Sequence, residues 1–341
     1  MHIYERYSAM PDPVAPDHGS APDSATVTDA STLVTDAVAA AGATVLEARE
    51  VSKGYSWPEC PRWHDGALWF SDMYTATLKR LDSVGNATVV VDASTRATDA
   101  GVPIVLGGFG WLPDGRLIVV SMHEKLLLVQ GDAGPTDLSV YADLSAFCPA
   151  PVNDMVLDTD GRAYITQFGF NFFKREPLAA APLIVVAPDG SVSTADQVRP
   201  LMCANGIAIS ADGTRVYTAE VLTETIIVID RAVDGTLSNP REFAKCPFRP
   251  DGIGLDEEGG VWAAMLEGGH VARFTGDGLT HAVPISPRHG MPSACLLGGP
   301  DRTTLFITVG HESFDFDKSA REAQGSIWMT EVPQSGGTTR P

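Results

Sequence analysis

Four side chains with oxygen donors stand at matching distances from turn glycines in the sequence. Each lies seven or eight residues before such a glycine, and the set is Glu59, Asn153, Asn205 and Asp251. Two carboxylates and two amides, with no thiol or imidazole among them, are the ligands that a hard divalent cation prefers. Ca²⁺ fits this set best because it takes several oxygen ligands and tolerates irregular geometry. Mn²⁺, Mg²⁺ and Zn²⁺ stay open as alternatives.

The elements that must position these side chains are copies of one repeat. The unit is a short apolar run, a tight turn that ends in glycine, and a strand with a bulky residue at its centre. Turn glycines recur at intervals of 46 to 52 residues, and Asp301 holds a sixth turn; the glycines are Gly66, Gly115, Gly161, Gly213 and Gly259. Asp-Gly turns between apolar runs indicate hairpins, and a second hairpin follows in most copies.

Six such units predict an all-β fold, a six-bladed β-propeller with four antiparallel strands per blade. Val45–Val51 is expected to supply the outer strand that closes the ring with the last blade. Equivalent positions of a propeller lie in one layer around its axis, so the four oxygen-bearing side chains are expected to converge at one mouth of the channel. At the same level, blade two has Gly107 or Gly108 and blade six has Ser293.

An alternative interpretation is that these residues only form turns. Asn-Gly, Asn-Asp and Asp-Gly are common turn dipeptides that often precede strands. Glu59 matches no turn preference, however, and all four positions keep one register along the repeat. The pattern as a whole therefore favours a cation site.

Composition and charge exclude several other classes of protein. With 44% hydrophobic residues, a chain of 341 residues can bury a core and is not of the disordered class. The net charge of −19, without clustered Lys and Arg, argues against a nucleic-acid partner. The apolar runs are too short to span a membrane and the N-terminus has no signal pattern, so a cytoplasmic location is predicted.

The chain divides into three segments by composition. Residues 1–42 are rich in Ala, Pro, Asp, Ser and Thr and predict a flexible acidic extension, residues 43–333 predict the propeller, and residues 334–341 a flexible tail. Five scattered cysteines contain no Cys-x-x-Cys pair, which excludes a disulfide scaffold and a structural zinc ribbon. We expect them to be small buried side chains.

Four motifs follow one another along the chain. They are Glu59-Cys60-Pro61-Arg62-Trp63, then Asn153-Asp154-Met155 with Asp158–Gly161, then Asn205-Gly206, and last Pro250-Asp251-Gly252 with Asp256–Gly259 and Trp262. In this order and spacing they resemble the senescence marker protein-30, gluconolactonase and luciferin-regenerating enzyme family of six-bladed propellers. The resemblance covers about residues 45–332.

The resemblance implies a site and an activity. Glu59, Asn205 and Asp251 would be metal ligands, and Asn153 would be a ligand or would bind substrate beside the metal. The implied reaction is the hydrolysis of a lactone or another carboxylic ester, with Asp251 as general base as well as ligand. This chemistry is coherent, because a divalent cation polarises an ester carbonyl while a nearby carboxylate deprotonates the attacking water.

Two residues depart from the family pattern. Cys60 replaces a glycine of the first motif, and Pro151 stands where sugar lactonases of the family commonly carry an arginine that meets substrate hydroxyls. A polar aldonolactone is therefore in doubt. Apolar residues near the motifs suggest a less polar substrate: Trp57, Met155, Phe168, Phe170 and Phe172.

Further candidates for substrate binding come from strand ends at the expected mouth. His123 follows the second strand of blade two and His311 that of blade six, and we predict that both, with Phe168 and Asn153, contact a small-molecule lactone or ester. Phe168–Glu176 interrupts the repeat of blade three and is expected to lie over the mouth as a lid. The sequence makes no prediction about the oligomeric state.

Three rival functions stay open. The same cation geometry could support phosphotriester hydrolysis. A propeller could also bind a protein or small molecule without catalysis, since fold does not determine function. A metal-independent biosynthetic enzyme resembling strictosidine synthase is the third, although the two carboxylates count against it. The absence of a Gly-x-Ser-x-Gly motif weighs against a serine hydrolase.

Overall fold

The computed structural model describes residues 38–39, 41–98, 102–171 and 174–340. Two short strands precede the first blade, β1 (Thr44–Val45) and β2 (Arg49–Tyr55). The first three blades then follow in chain order. Blade one contains β3 (Pro58–His64), β4 (Ala67–Asp72), β5 (Thr77–Leu81) and β6 (Ala87–Asp92). Blade two contains β7 (Leu106–Trp111), β8 (Leu117–Ser121), β9 (Leu126–Gln130) and β10 (Leu138–Asp143). Blade three contains β11 (Val152–Leu157), β12 (Ala163–Gln167), β13 (Ile184–Val186) and β14 (Val192–Thr194).

The remaining blades continue the pattern. Blade four contains β15 (Ala204–Ile209), β16 (Arg215–Glu220), β17 (Thr225–Arg231) and β18 (Leu237–Lys245). Blade five contains β19 (Pro250–Leu255), β20 (Val261–Met265), β21 (His270–Thr275) and β22 (Gly278–Pro284). Blade six contains β23 (Met291–Gly298), β24 (Thr304–Gly310) and β25 (Gly325–Glu331). Helix α1 (Phe316–Glu322) lies between the last two strands, and 3-10 turns span Met73–Thr75, Val221–Thr223 and Pro287–His289.

The six sheets form a closed ring. Each innermost strand contacts the innermost strand of the next blade, and β23 of blade six contacts β3 of blade one. The strands of every blade pair antiparallel with their sequence neighbours. The six-bladed propeller with four antiparallel strands per blade is therefore confirmed, and the ring places the first strand of each blade at the central channel.

Ring closure differs in detail from the prediction. The outer strand of blade six is Arg49–Tyr55, paired antiparallel with β25, rather than Val45–Val51. Thr44–Val45 instead pairs in parallel with β22 of blade five. The chain thus passes along blade five before it reaches blade six. Each of these two blades receives one strand from this segment. The closing strand begins four residues later than expected for that reason.

Apolar side chains fill the spaces between the blades. Phe70, Tyr164 and Trp262 are among the largest side chains that are fully buried. All five cysteines lie in the described part of the chain, buried and with free thiols, as the sequence predicts. No helix of the described residues is long and apolar enough to cross a membrane.

The two ends of the chain were predicted to be flexible. Nearly all of residues 1–42 lies outside the described residues, so that prediction stays as it was. Residues 334–340 differ from a free tail because they lie against the propeller. Arg340 forms a backbone bridge with Ile209, and the buried Thr339 hydroxyl donates to the Leu255 carbonyl at 3.0 Å. The division of the chain at residues 42 and 333 stays a prediction.

Candidate metal and active site

The first strand of every blade carries an irregularity at one level of the channel. Pairing with the second strand shifts register after Glu59, Leu106, Val152, Ala204, Pro250 and Pro292. These β-bulges leave residues unpaired and change the direction of their side chains. Asn153, Asn205 and Asp251 are the first residues of three bulges, and Glu59 directly precedes a fourth. The repeat thus places the four predicted donors around one opening.

The carboxylates of Glu59 and Asp251 are buried and close enough to affect each other's ionisation. Glu59 is 6% exposed and Asp251 is 4% exposed. Burial is the main reason that the pKa of Glu59 is raised to about 8; the hydrogen bond from the Cys60 N–H acts to lower it and the neighbouring Asp154 acts to raise it. Burial also raises the pKa of Asp251 well above its usual range, and Glu59 is the next contributor. The two acids are therefore neighbours that are shielded from solvent.

The amide donors lie beside these acids. The half-buried Asn205 hydrogen-bonds to the Asp251 carboxylate, which offsets part of the rise in the pKa of Asp251. Asn153 is 5% exposed and its Nδ2 atom has no hydrogen-bond partner; the same is true of Asp251 Oδ1. Buried polar atoms are normally paired, so these atoms point to a ligand of the channel.

The donor set fits one hard divalent cation. Carboxylate and amide oxygens are the ligands of Ca²⁺, and a bound cation would compensate the two buried acids that now repel each other. Among the described residues, no group of three or more His, Cys, Asp or Glu side chains could hold a metal. The site accordingly depends on the two amides as much as on the two acids.

Asp154 is close to the site but is already neutralised. The guanidinium of Arg62 donates to Asp154 Oδ1 at 2.7 Å, and both side chains are buried. Arg62 also donates to the carbonyls of Phe109 and Met155, at 3.0 and 2.7 Å. This network ties blades one, two and three together beneath Glu59. Its role is to hold the donor strands in place.

Blades two and six contribute no ionisable donor at this level. A Cβ on Gly107 would lie 2.2 Å from the Asn153 carbonyl oxygen, and one on Gly108 would lie 2.2 Å from the Met155 nitrogen. The backbone of blade three therefore excludes side chains at these two positions of blade two. In blade six, Ser293 donates to the Pro58 carbonyl at 2.8 Å and hydrogen-bonds to Glu59.

Apolar side chains surround the mouth above these donors. One buried cluster joins residues of blades one to four, among them Trp57, Met122, Phe168 and Cys203. Partly buried residues from blades five and six, Leu266 and Met291, pack against it. The members of this cluster that adjoin the innermost strands lie near the axis, so much of the approach to the carboxylates is apolar.

A family model described as SMP-30/gluconolactonase/LRE-like region matches residues 57–311. The chain belongs to this family. The match begins two residues before Glu59 and ends just after β24, so it contains all four bulges that carry the donors. The resemblance inferred from the motifs is thus confirmed.

Curated relatives in the family include two proteins named as lactonases. The chain is 26% identical to pentonolactonase XacC of Haloferax volcanii over 293 residues, 82% of this chain and 91% of the relative. It is 28% identical to 6-deoxy-6-sulfogluconolactonase of Pseudomonas putida over 289 residues, 82% and 92% of the two chains. A solved structure of the calcium-binding protein regucalcin from Agrobacterium tumefaciens superposes with a TM-score of 0.68 at 21% identity, covering 86% of this chain and 97% of that one.

The residues predicted to bind substrate have different surroundings in the structure. Phe168 is buried in the apolar cluster at the mouth. His123 faces the ring of Phe316 at 6.0 Å, and burial, followed by the charge of Lys174, lowers its pKa to about 4. His311 is half-buried near Gly290, where a Cβ would lie 2.9 Å from its Cδ2 atom. Their contact with substrate stays a prediction.

The insertion of blade three lies near this mouth. Lys174 is close enough to His123 to affect its ionisation, and Leu178 packs against the apolar cluster. Phe170 belongs to the same cluster. Phe172, the other aromatic residue predicted to line the mouth, lies outside the described residues. That Phe168–Glu176 acts as a lid stays a prediction.

The sequence alone missed a pair of rings beside the carboxylates. Tyr74 stacks on Phe316 with ring centroids 4.3 Å apart, and its hydroxyl donates to the Ser313 carbonyl at 2.9 Å. Burial raises the pKa of Tyr74 well above its usual range, with further contributions from Glu59 and Asp251. Tyr74 lies two residues after the second strand of blade one, and His123 lies at the same position in blade two. This equivalence is the signal in the sequence that indicates Tyr74 as a residue of the mouth.

Cys60 departs from the family pattern at a strained position. Its φ angle of +49° lies in the left-handed region that favours glycine, the residue of the family pattern. Burial raises the pKa of its thiol well above the usual range, so the thiol stays protonated. Cys60 therefore supplies its N–H to Glu59 and no nucleophile.

Proposed function

We propose that this chain hydrolyses a lactone at a single divalent cation bound by Glu59, Asn205 and Asp251, with Asn153 as a further ligand or as a contact to substrate. The observation that carries the proposal is the pair of buried, mutually repelling carboxylates at the channel, with an Asp251 oxygen that has no partner in the protein. The relatives named pentonolactonase and 6-deoxy-6-sulfogluconolactonase support the reaction class, and with it the assignment of the chain as an enzyme.

Ca²⁺ is the cation we propose. Two carboxylates and two amides give an all-oxygen set with open positions, which suits a cation that takes six to eight oxygen ligands. Relatives named regucalcin, for example that of Danio rerio, which is 27% identical over 285 residues, and the calcium-binding structural neighbour agree with this choice. When bound, a divalent cation polarises the ester carbonyl and stabilises the negative charge that develops on its oxygen.

The side chains of this chain supply the proton transfers. Asp251 accepts a proton from the attacking water at its unpartnered Oδ1 atom while the water oxygen bonds to the acyl carbon. The ring C–O bond then breaks, and Asp251 returns the proton to the departing ring oxygen, so that the product is a hydroxy acid. Asn153 Nδ2 is available to donate to the substrate. The apolar mouth excludes bulk water from these steps.

The test is pH-stat hydrolysis of a lactone panel in EDTA and after addition of Ca²⁺, Mn²⁺, Mg²⁺ or Zn²⁺. We expect cation-dependent turnover that falls at least about a hundredfold in Asp251→Asn, because the variant loses a ligand and the base. Asp132→Asn changes an exposed aspartate and is the matched control. Turnover that is unaffected by EDTA and by Asp251→Asn would contradict the proposal. A phosphotriester panel, run in parallel, would reveal the rival hydrolysis.

A further inference from the structure

Two rows of residues form the rim of the channel mouth. The first row consists of the residues that lie two positions before Glu59 and before its equivalents in the other blades, Gly107, Asn153, Asn205, Asp251 and Ser293. These residues are Trp57, Val105, Pro151, Cys203, Arg249 and Met291. The second row directly follows the second strand of each blade and consists of Met73, Met122, Phe168, Val221, Leu266 and His311. In the first five blades a backbone hydrogen bond joins the two rows, for example from the Met73 N–H to the Trp57 carbonyl at 3.1 Å. We call these twelve residues the rim.

The rim offers almost no polar partner to a ligand. Arg249 is its one permanently charged member, and its guanidinium already binds Glu267 at 2.9 Å. His311 is the other rim residue that can carry a positive charge. The remaining residues have apolar side chains, apart from one thiol. That thiol, Cys203, is buried and forms no disulfide. A ligand that passes the rim therefore meets mainly hydrocarbon, sulfur and aromatic surface, although His123, which follows Met122 of the rim and lies 6.0 Å from the ring of Phe316, is a polar side chain beside it.

A pair of rings extends this surface next to the carboxylates. Tyr74 follows Met73 of the rim, and Phe316 begins helix α1. The Tyr74 hydroxyl is engaged by the Ser313 carbonyl, and the Ser319 hydroxyl of α1 donates to the Ser56 carbonyl at 3.0 Å. These bonds hold α1 over blade one and fix the stacked rings as a wall of the site. The hydroxyl proton of Tyr74 is thereby already engaged.

We infer that the substrate is a lactone whose ring carries an apolar substituent, alkyl or aryl, and that Phe316 and Tyr74 form the wall that contacts it. The inference rests on the proposed function. A polyhydroxylated lactone would place more hydroxyl groups at this mouth than its few polar side chains can pair, and an unpaired buried hydroxyl weakens binding. An apolar substituent that contacts the same surface should instead raise kcat/KM by about tenfold or more.

The experiment compares kcat/KM for γ-butyrolactone, its γ-pentyl and γ-phenyl derivatives, and a five-membered aldonolactone. We expect both substituted rings to exceed γ-butyrolactone by about tenfold or more, and the aldonolactone to fall below it. Phe316→Ala should lower the ratio of γ-phenyl to unsubstituted turnover about tenfold, and Phe316→Leu, which keeps an apolar side chain, should restore most of it. Phe314→Ala, at an exposed phenylalanine two residues away, is the matched control.

Two outcomes would overturn the inference. One is an aldonolactone that reacts as well as the γ-pentyl ring, and the other is a ratio that does not change in Phe316→Ala. Calorimetric binding of the γ-phenyl lactone to the Asp251→Asn variant separates this inference from the proposed reaction. If no lactone is hydrolysed but the γ-phenyl lactone binds and Phe316→Ala weakens it about tenfold, the apolar specificity stands while hydrolysis fails. Absence of both hydrolysis and binding overturns both.

Discussion

Replacement of Glu59 by glutamine is expected to stabilise the cation-free protein at pH 8 and to weaken its affinity for the cation. The residue is 6% exposed, and burial above all, together with the charge of Asp154, opposes ionisation of its carboxyl group. Glutamine has nearly the same shape, and its oxygen can still accept the 2.7 Å hydrogen bond from the Cys60 N–H. The variant therefore removes the charge and leaves the packing.

The magnitude follows from the pKa of this carboxyl group. Its ordinary value of 4.5 is raised to about 8 in the folded protein, and each pKa unit corresponds to about 1.4 kcal/mol. The unfolded chain releases the proton near pH 4.5, whereas the folded chain holds it until about pH 8. Stability therefore falls as the pH rises through this window. Glu59 accounts for a decrease of about 3 kcal/mol in the free energy of unfolding between pH 5 and pH 8.

Urea unfolding at pH 5 and pH 8, each with EDTA and with Ca²⁺, measures this difference. In EDTA the wild-type protein should lose about 3 kcal/mol more than Glu59→Gln over the pH interval. With Ca²⁺ at a hundred times its Kd, the wild-type protein should gain about 2.7 kcal/mol and the variant much less. Glu47→Gln, at an exposed glutamate, should behave like the wild-type protein in every condition.

Equal pH dependence of the wild-type protein and Glu59→Gln in EDTA would refute the reasoning, since it would mean that Glu59 is ionised without cost in the absence of a cation. A variant that binds Ca²⁺ as tightly as the wild-type protein would remove Glu59 from the ligand set. These two results are independent, so the electrostatic argument and the ligand assignment can fail separately.

Three further perturbations test the support of the site. Asn205→Ala should weaken Ca²⁺ binding about tenfold in calorimetry, because it removes a ligand and a hydrogen bond to the neighbouring acid. Gly108→Ala should destabilise the fold by about 2 kcal/mol or more in urea unfolding, since its Cβ would meet backbone 2.2 Å away, whereas Gly276→Ala, with open space around it, should have little effect. Arg62→Met should cost about 3–5 kcal/mol by leaving Asp154 charged and buried, and adding Asp154→Asn should recover most of that loss.

The repeat in the sequence was sufficient to predict the propeller and the common level of Asn153, Asn205 and Asp251. Turn glycines such as Gly161 and Gly213 have φ angles of +86° and +70°, the left-handed conformation that the hairpin prediction requires. Because the innermost strands of the four donor blades are six or seven residues long, similar distances from these turns translate into similar heights along the channel. Asn153, Asn205 and Asp251 consequently occupy equivalent bulges, as their spacing indicates.

The closing strand and the aromatic wall could not be predicted in the same way. Val45–Val51 has the alternation of a strand, but local pattern does not tell which blade a strand joins, and the chain divides between blades five and six. The contact of Tyr74 with Ser313 joins residues 239 positions apart, and nothing in the repeat specifies it. Such contacts arise from the packing of an insertion on the ring, which has no periodic signal.

The bulges also limit how many ligands the ring can supply. Gly107 and Gly108 cannot carry side chains because the backbone of blade three lies within 2.2 Å of their missing Cβ atoms, and Ser293 is bonded to the Pro58 carbonyl. In the proposed site four blades supply the donors, and with one oxygen from each they provide fewer than the six to eight oxygen atoms that Ca²⁺ takes. Water or substrate oxygen would then fill the remaining positions. A purely structural site would close its coordination shell with protein atoms, so the packing of blade two on blade three is what leaves room for a reaction at this mouth.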